Sequence, residues 1–209
     1  SFPTRRSSDL RTCSSDGYET GDGRYSYLQA DFCKAHVTTA KTVDYILTDG
    51  GDSVRLATPA TVGWAPAKDT LWRALAYYDK AARKLFSLSQ VLVARPLVKM
   101  SLDSVATDPL TLESAWMGGG FLNIGFAVKT GSSDQVDASK AIGIMVDSIE
   151  TEGEATRAVT LRLLHAQNNV PQYYTVRSYL SMPLPAAWRS AKMTIVANTY
   201  RGEQRLMAE

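Results

Sequence analysis

Residues 110–129 read LTLESAWMGGGFLNIGFAVK, two alternating apolar runs on either side of three glycines. In each run, every second residue lies on one face of the predicted strand. These residues are Leu110, Leu112, Ser114 and Trp116 in the first run, and Leu122, Ile124, Phe126 and Val128 in the second. A period of two residues is typical of a β-strand, and two such runs around a glycine-rich connection are typical of a β-hairpin. The segment therefore predicts strands over Leu110 to Trp116 and Phe121 to Lys129. Gly118 to Gly120 form the tip, since no lysine or helix follows them as a phosphate-binding loop requires.

The same alternation continues through the rest of the second half of the chain. It predicts strands around Val98 to Leu102 and over Ala141 to Ile149, Val159 to His165, Tyr173 to Ser181 and Met193 to Tyr200. With the hairpin these make about seven antiparallel strands, and such a set with turn signals about every 8–12 residues is typical of an immunoglobulin-like β-sandwich. One helical turn is predicted between Pro183 and Lys192, around Ala186-Ala187-Trp188.

A second set of strands precedes the sandwich. The predicted strands are Tyr25 to Cys33, Thr42 to Thr48, a short strand with Val54 and Leu56, Leu71 to Tyr78, and Leu85 to Ala94. Asp49-Gly50-Gly51-Asp52 predicts a hairpin turn, because the Asp-Gly step supplies the positive φ that a tight turn needs. Pro59 to Pro66, which contains Trp64, reads as an irregular connection. Five short strands in a segment of this length predict a small OB-like barrel.

The two sets of strands predict two domains in an all-β chain. Pro96 restricts the residue before it and favours a break, so we place the boundary there. The predicted organisation is a barrel over residues 25–96 and a sandwich over residues 97–209, preceded by a tether within residues 1–24.

Composition excludes two classes of function. The formal net charge is +2 and the basic residues form no run, which argues against a nucleic-acid-binding stripe or a polybasic membrane patch. Apolar residues make up 44% of the chain, enough for a folded core. No stretch approaches the roughly 20 uncharged apolar residues of a membrane-spanning helix.

The first residues predict a lipid anchor. Residues 1–10, SFPTRRSSDL, match the translation of a short sequencing adapter, so we expect the natural N-terminus to differ from them. Cys13 then heads a small, polar and acidic stretch, as the lipidated cysteine of a mature bacterial lipoprotein does. The alternative is a Cys13–Cys33 disulfide, whereas the lipid interpretation leaves Cys33 as an ordinary small strand residue.

No catalytic, cofactor or metal site is predicted. His36 and His165 are the two histidines, they lie in different predicted domains, and His165 reads as a strand-end residue. Asp49 and Asp52 are too few for a calcium loop. The acidic residues Glu150, Glu152 and Glu154 read as a solvated loop rather than as the carboxylate pair of a glycosidase.

Aromatic residues are the candidates for ligand binding. Trp64, Trp72, Tyr77 and Tyr78 lie in the OB-like half, and such folds use exposed aromatic rings to stack on sugars or bases. Strand Leu71 to Tyr78 has Trp72 and Tyr78 on one face and Tyr77 on the other, so one of these faces must be core. For Trp64 the alternative is a ring folded inward to plug one end of the barrel. A polar and aromatic face with Arg177 and Tyr179 is a second possible ligand surface, or else a solvated face.

Several stretches of turn and strand residues occur together in a known family: residues 21–32 and Thr48 to Asp52, residues 108–116, 121–124 and 129–131, and residues 173–184 and 198–203. Through these residues the chain resembles the NigD-like family, in which an N-terminal OB-like domain precedes a C-terminal β-sandwich. It implies a lipoprotein of the outer membrane of a Gram-negative bacterium, facing the periplasm or the cell surface. These matching residues are turns and strand faces, so the resemblance implies no particular activity.

We therefore expect a lipid-anchored protein that is not an enzyme and that acts in adhesion or scaffolding through protein or glycan partners. The membrane contact is through the lipid on Cys13. The alternative from another class is a hydrolase or glycan-processing accessory enzyme, which requires two close carboxylates in a cleft. A nucleic-acid-binding OB protein is disfavoured by the near-zero net charge.

Overall fold

The computed structural model describes residues 28–131 and 142–209. The predictions for Cys13 and the tether within residues 1–24 lie outside the described residues, as do Tyr25 and Ala141 at the starts of two predicted strands. None of the described helices is long and apolar enough to span a membrane.

The first half is one curled antiparallel sheet. Its strands are β1 (Leu28–Val37), β2 (Thr42–Thr48), β3 (Ser53–Thr61), β4 (Thr70–Asp79) and β5 (Lys84–Gln90). They lie in the order β3-β2-β1-β4-β5. The edges of the sheet approach each other where the Ala57 N–H donates to the Arg83 carbonyl at 2.9 Å. The first four predicted strands of this half are present within the described residues, and β3 ends at Thr61, inside the irregular connection predicted from Pro59 to Pro66.

Alternation along the first-half strands builds a core of mostly small side chains. The core residues are Cys33, Ala35, Val37, Val43, Ile46, Val54, Leu56, Val62, Ala65, Ala74, Ala76 and Tyr78. Tyr78 is fully buried, and its hydroxyl lies 2.9 Å from both Gln29 Oε1 and Asp31 Oδ2 at the rim. The face of β4 that carries Trp72 and Tyr78 is therefore the core face.

The second half is a β-sandwich, as predicted. Its strands are β6 (Leu92–Val93), β7 (Thr111–Gly118), β8 (Phe121–Thr130), β9 (Ile142–Glu152), β10 (Ala155–His165), β11 (Tyr174–Pro183), β12 (Lys192–Thr199) and β13 (Gly202–Met207). One sheet has the order β6-β11-β8-β7 and the other β13-β12-β10-β9. A 3₁₀ turn at Ala186–Trp188 confirms the predicted helical turn.

Three details of the sandwich differ from the predictions. Residues 98–102 form no strand, because the chain there makes a single bridge from Leu97 to Met145 before a 3₁₀ turn at Leu102–Ser104. β13 (Gly202–Met207) was not predicted, and its outward-facing polar residues explain the weak apolar signal. β10 and β12 pair in parallel rather than antiparallel, because β11 crosses to the other sheet between them.

The predicted strand Leu85 to Ala94 is divided between the two halves. β5 ends at Gln90, and Leu92 and Val93 then pair in parallel with Leu180 and Ser181 of β11. Leu92 packs against the sandwich core. Alternation continues across the break at Val91, so the sequence pattern gives no sign of the change of sheet.

A β-bulge changes the faces of the first hairpin strand. Leu112 pairs with Phe126 and Ser114 pairs with Gly125, so Glu113 is an extra residue in β7. An extra residue exchanges the two faces of the strand beyond it. Ala115 consequently enters the sandwich core, whereas the prediction that Trp116 shares a face with Leu110 and Leu112 is wrong. Trp116 instead points away from the core and toward the first half.

Candidate functional site

The outer face of the sheet that contains β8 and β11 meets the first half. We call this contact the junction; it is formed by Phe32, Asp49 and Arg73 from the first half and by Trp116, Phe121, Asn123, Tyr179 and Ser181 from the second.

Arg73 is the centre of the junction. Its Nη1 and Nη2 donate to the two oxygens of Asp49 at 2.5 and 2.6 Å, and Nη2 also donates to Asn123 Oδ1 at 2.9 Å. Its Nε donates to Ser181 Oγ at 3.0 Å, and that hydroxyl donates to Asn123 Oδ1 at 2.6 Å. The Arg73 side chain is 2% exposed. A planar guanidinium can satisfy several acceptors from different strands at once, so Arg73 fixes the orientation of the two halves.

The glycine tip of the hairpin leaves the space that the Asp49 carboxylate occupies beside Arg73. Gly119 has φ of 59°, in the left-handed region, and a Cβ there would collide with the Asp49 carboxylate. The tip is a hairpin turn as predicted, and it also contacts the turn between β2 and β3.

Aromatic rings extend the junction beside Arg73. The Phe32 ring makes edge contacts with Trp116 and Tyr179, each with centroids 5.1 Å apart. The Arg73 guanidinium lies 4.3 Å from the centroid of the Phe121 ring. The contacts between aromatic rings each stabilise by about 0.5–1.5 kcal/mol beyond the area they bury. Tyr179, predicted on a possible ligand face, is a junction residue, while Arg177 on the same strand makes an exposed ion pair with Glu113 at 2.8 Å.

An open groove of about 650 Å³ lies next to the junction. Its walls come from β4, from the end of β5 through β6, from the core-facing sides of β8 and β11, and from the start of β9. They consist of Trp72, Arg73, Gln90, Val91, Leu92, Val93, Phe126, Val128, Thr130, Ile142, Val176 and Ser178. Most of these side chains are apolar, and no Asp or Glu is among the described residues that line the groove.

One wall of the groove is an edge strand. β11 pairs with β8 over its whole length, Tyr174–Pro183. On its other side it pairs with β6 at Leu180 and Ser181, and among the described residues nothing pairs with Tyr174 to Tyr179 there. Val176, at 41% exposed, and Tyr174, at 53% exposed, lie on this stretch. An edge strand directs backbone N–H and C=O groups outward.

The structure separates the four aromatic candidates. Tyr78 is fully buried in the first-half core, so its ring is not available to a ligand at the surface. Tyr77 lies on the opposite face of the strand and is 42% exposed. Trp64 packs partly against the first-half core, its Nε1 donates to the Leu88 carbonyl at 3.2 Å, and its ring makes an edge contact with Trp72. This is the inward packing that was the alternative for Trp64. Trp72 lines the groove, and its buried Nε1 makes no hydrogen bond within the described structure.

The histidines considered for chemistry are not among the residues that line the groove. His36 Nδ1 lies 2.6 Å from Asp44 Oδ1 and its Nε2 2.8 Å from Asp69 Oδ1, and the ring stacks on Tyr45. The hydrogen bond to Asp44 raises the pKa of His36, with the charges of Asp44 and Asp69 adding to the shift. His165 ends β10, and its Nδ1 lies 3.3 Å from the Asp108 carbonyl oxygen.

Within the described residues, the glutamates of the β9–β10 hairpin and Cys33 do not form a common site. Glu152 makes an exposed ion pair with Arg157 on the hairpin between β9 and β10, next to Glu150 and Glu154. Burial raises the pKa of the Cys33 thiol to about 12, which disfavours the thiolate form that a nucleophilic cysteine needs. Within the described ranges no cluster of three or more His, Cys, Asp or Glu side chains is placed to hold a metal ion.

Sequence reasoning missed both Arg73 and the groove. The available signal for Arg73 was a charged residue within an otherwise apolar strand, Leu71 to Tyr78, on a face that also holds Leu75. Its partners Asp49, Asn123 and Ser181 lie 24, 50 and 108 positions away, so no local pattern connects them to it.

Comparison with known proteins places the fold. Residues 95–208 match the family model described as the NigD-like C-terminal beta sandwich domain. No curated protein matches the chain.

Solved structures with the same fold cover both halves. A NigD-like immunity protein from Bacteroides caccae is 22% identical, with a TM-score of 0.62 over 86% of this chain and 90% of that one. A protein from Parabacteroides distasonis described as toxin-related is 17% identical, with a TM-score of 0.61 over 86% and 91% of the two chains. A Bacteroides vulgatus protein of unknown function is 16% identical, with a TM-score of 0.57 over 86% and 90%.

Proposed function

We propose that this chain, which belongs to the NigD-like family, is a non-catalytic binding protein of the bacterial cell envelope that holds its partner in the groove. The groove carries the proposal. It is open, it is lined mainly by apolar side chains, and its walls come from both halves of the chain. Concave, largely apolar sites with a few polar groups are the usual form of a binding site.

The junction supports this use of the groove. Arg73 lines the groove and also donates hydrogen bonds to Asp49, Asn123 and Ser181. These bonds hold the two walls of the groove at a fixed distance from each other. A preformed site loses less conformational entropy on binding than one that must be ordered first. The OB-like barrel would supply the first wall and the sandwich the second.

A protein or a glycan is the proposed partner, in an adhesion, scaffolding or inhibitory role. The immunity description of one structural relative fits a non-catalytic role, since immunity proteins include inhibitors that act by tight binding alone. The absence of carboxylates from the described groove lining is unfavourable for the hydrolase alternative, which needs two of them in a cleft.

The proposed location is the outer membrane of a Gram-negative bacterium, facing the periplasm or the cell surface, with a lipid on Cys13. Cys13 and the polar residues after it support the proposal. Acyl chains contribute about 0.8 kcal/mol per buried CH₂, so two chains anchor far more firmly than one. Cys13→Ser, expressed behind a lipoprotein export signal, should leave the membrane fraction; a mutant that fractionates like the wild type contradicts the anchor.

Binding at the groove is tested with a pair of variants on β11. Val176→Asp places a charge in the groove, whereas Thr175→Asp places the same charge on the other face of the same strand. Glycan arrays and pull-downs from envelope extract should show a partner that wild type and Thr175→Asp retain and Val176→Asp loses. Equal retention by all three proteins contradicts a site in the groove, and turnover of a bound glycan contradicts the non-catalytic role.

Trp64 gives a second comparison in the same assays. If its ring stacks on the ligand, Trp64→Ala should weaken binding roughly 5- to 150-fold, because a stacked aromatic contributes about 1–3 kcal/mol. If the ring is the plug that its contact with Trp72 indicates, the variant loses stability and keeps its ligand.

A further inference from the structure

We propose that the partner is an extended polypeptide segment that adds as a strand to the edge of β11 at residues 174–178, where no other described strand pairs with it. This inference rests on the proposed use of the groove as a binding site and assigns the chemical class of its occupant.

Strand addition already occurs on this edge within the chain itself. Leu92 and Val93 lie in parallel beside Leu180 and Ser181, and the Ala94 N–H donates to the Ser181 carbonyl at 3.2 Å. The Leu92 side chain packs against the sandwich core at the same time. Two residues of β6 therefore use the edge as a partner strand would, with backbone hydrogen bonds and one apolar side chain turned inward.

The unoccupied part of the edge continues this geometry. In the described structure β6 pairs with no residue of β11 before Leu180, while β11 itself runs back to Tyr174. Residues 174–178 span about 16 Å, and every second residue of an edge strand directs both its N–H and its C=O outward. An extended polypeptide carries backbone donors and acceptors at the same spacing as this edge. The hydroxyl groups of a glycan do not repeat at that spacing.

The groove supplies pockets for the side chains of the added strand. Val176 and Ser178 lie on the groove side of β11, next to Val128 and Phe126 of β8. Trp72 and Gln90 of the first half form the opposite wall. An added strand would direct alternate side chains into this apolar space, which is the usual division of roles in peptide recognition by a sheet edge. The preferred segment therefore has small or branched apolar residues at every second position.

Amide hydrogen exchange in the full-length protein tests whether the edge is free. Without peptide, the outward amides among residues 174–178 should exchange at least about tenfold faster than the amides of the same strand that face β8. Uniformly slow exchange of all five amides overturns the proposal, because the edge would then already be paired.

A defined peptide tests the strand addition. The probe is acetylated and amidated Lys-Thr-Val-Thr-Val-Thr-Lys at millimolar concentration, followed by amide exchange and chemical shifts. The outward amides should be protected, and Val176→Asp but not Thr175→Asp should abolish the effect. N-methylation of the peptide amides one at a time should weaken binding about tenfold at every second position. No protection by the peptide, or equal loss at all positions, overturns strand addition.

Failure of this inference can be told from failure of the proposed function. An envelope partner or glycan that is lost in Val176→Asp, but that the peptide does not displace, overturns strand addition and leaves the groove as a binding site. If Val176→Asp retains every partner of the wild type, the proposed function fails and strand addition fails with it.

Discussion

The two halves of the chain bury side chains of very different size. Among the largest fully buried side chains of the described residues, Ile46 and Tyr78 belong to the first half and all the others to the second. The first-half core consists largely of Ala, Val and Cys side chains, whereas the sandwich packs Leu, Ile, Met and Phe from two sheets. Because burial contributes roughly 25 cal/mol per Å² of apolar surface, the first half gains less from its own core.

The difference indicates that the first half depends on the junction for part of its stability. The side chains of Phe32 and Arg73 project from the face of the first-half sheet opposite its core. The second half covers them there. The sandwich, in contrast, has a complete core without them. Removing the junction should therefore affect the two halves unequally.

Arg73→Ala should produce the largest effect. It leaves the Asp49 carboxylate partly buried without its partner, and breaking a buried ion pair costs about 3–5 kcal/mol. Denaturant unfolding followed by tryptophan fluorescence and circular dichroism should change from one transition to two, with the first half unfolding earlier.

Arg177→Ala is the matched control for Arg73→Ala. Its guanidinium also pairs with a carboxylate, Glu113, but the side chain is 79% exposed, so its loss should change the unfolding curve little. A single unshifted transition in Arg73→Ala would show that the first half does not depend on the junction.

Separating the halves should produce the next largest effect. The predicted boundary at Pro96 leaves Leu92 and Ala94 with the first half, yet both pack against the sandwich core. A fragment of residues 91–209 should therefore be about 2 kcal/mol more stable than one of residues 97–209, the cost of removing a partly buried leucine. Urea unfolding of both fragments measures the difference. Equal stability would favour the boundary at Pro96, and two unfolded fragments would mean that the halves share one cooperative core.

The sequence predicts the elements of this fold better than their connections. Alternation located the hairpin strands Leu110 to Trp116 and Phe121 to Lys129 because large apolar side chains recur at about every second residue, although residues 122–127 are buried on both faces of the sheet. It could not locate the bulge at Glu113 or the change of sheet at Val91, since both depend on pairing with distant strands. The site was missed for the same reason, because the groove is formed by side chains from six strands and by Val91 between two of them.

Tyr78→Phe tests how much the first-half core depends on the hydroxyl group of its largest buried side chain. The substitution keeps the ring and removes the hydroxyl that bonds Gln29 and Asp31. Both acceptors lie at the rim and can be hydrated, so the loss should be about 1 kcal/mol. Tyr77→Phe is the control, since that side chain is 42% exposed and faces away from the core. A loss of several kcal/mol, measured by urea unfolding, would mean that the hydroxyl organises the core more than its two bonds indicate.

The smallest predicted effect is a pH dependence confined to the first half. The hydrogen bond to Asp44 raises the pKa of His36 above 6.5, so this contribution to stability is fully present below pH 6.5 and is lost as the pH rises through the raised pKa. Burial acts to raise the pKa of Asp44, but the bond and the charge of His36 outweigh it and leave that pKa below 3.8. The contribution of the aspartate is therefore present above pH 3.8 and is lost as the pH falls through its lowered pKa.

Both contributions are present together between pH 3.8 and 6.5. His36→Gln keeps a hydrogen-bonding side chain at this position and removes the titration. Urea unfolding should show that the stability advantage of the wild type over His36→Gln is largest near the middle of that interval. The advantage should be lost as the pH rises through the raised pKa of His36. The second half, unfolded as the fragment of residues 91–209, should lack this dependence. A difference between wild type and His36→Gln that stays constant from acid to alkaline pH would show that His36 contributes by stacking on Tyr45 and not by its charge.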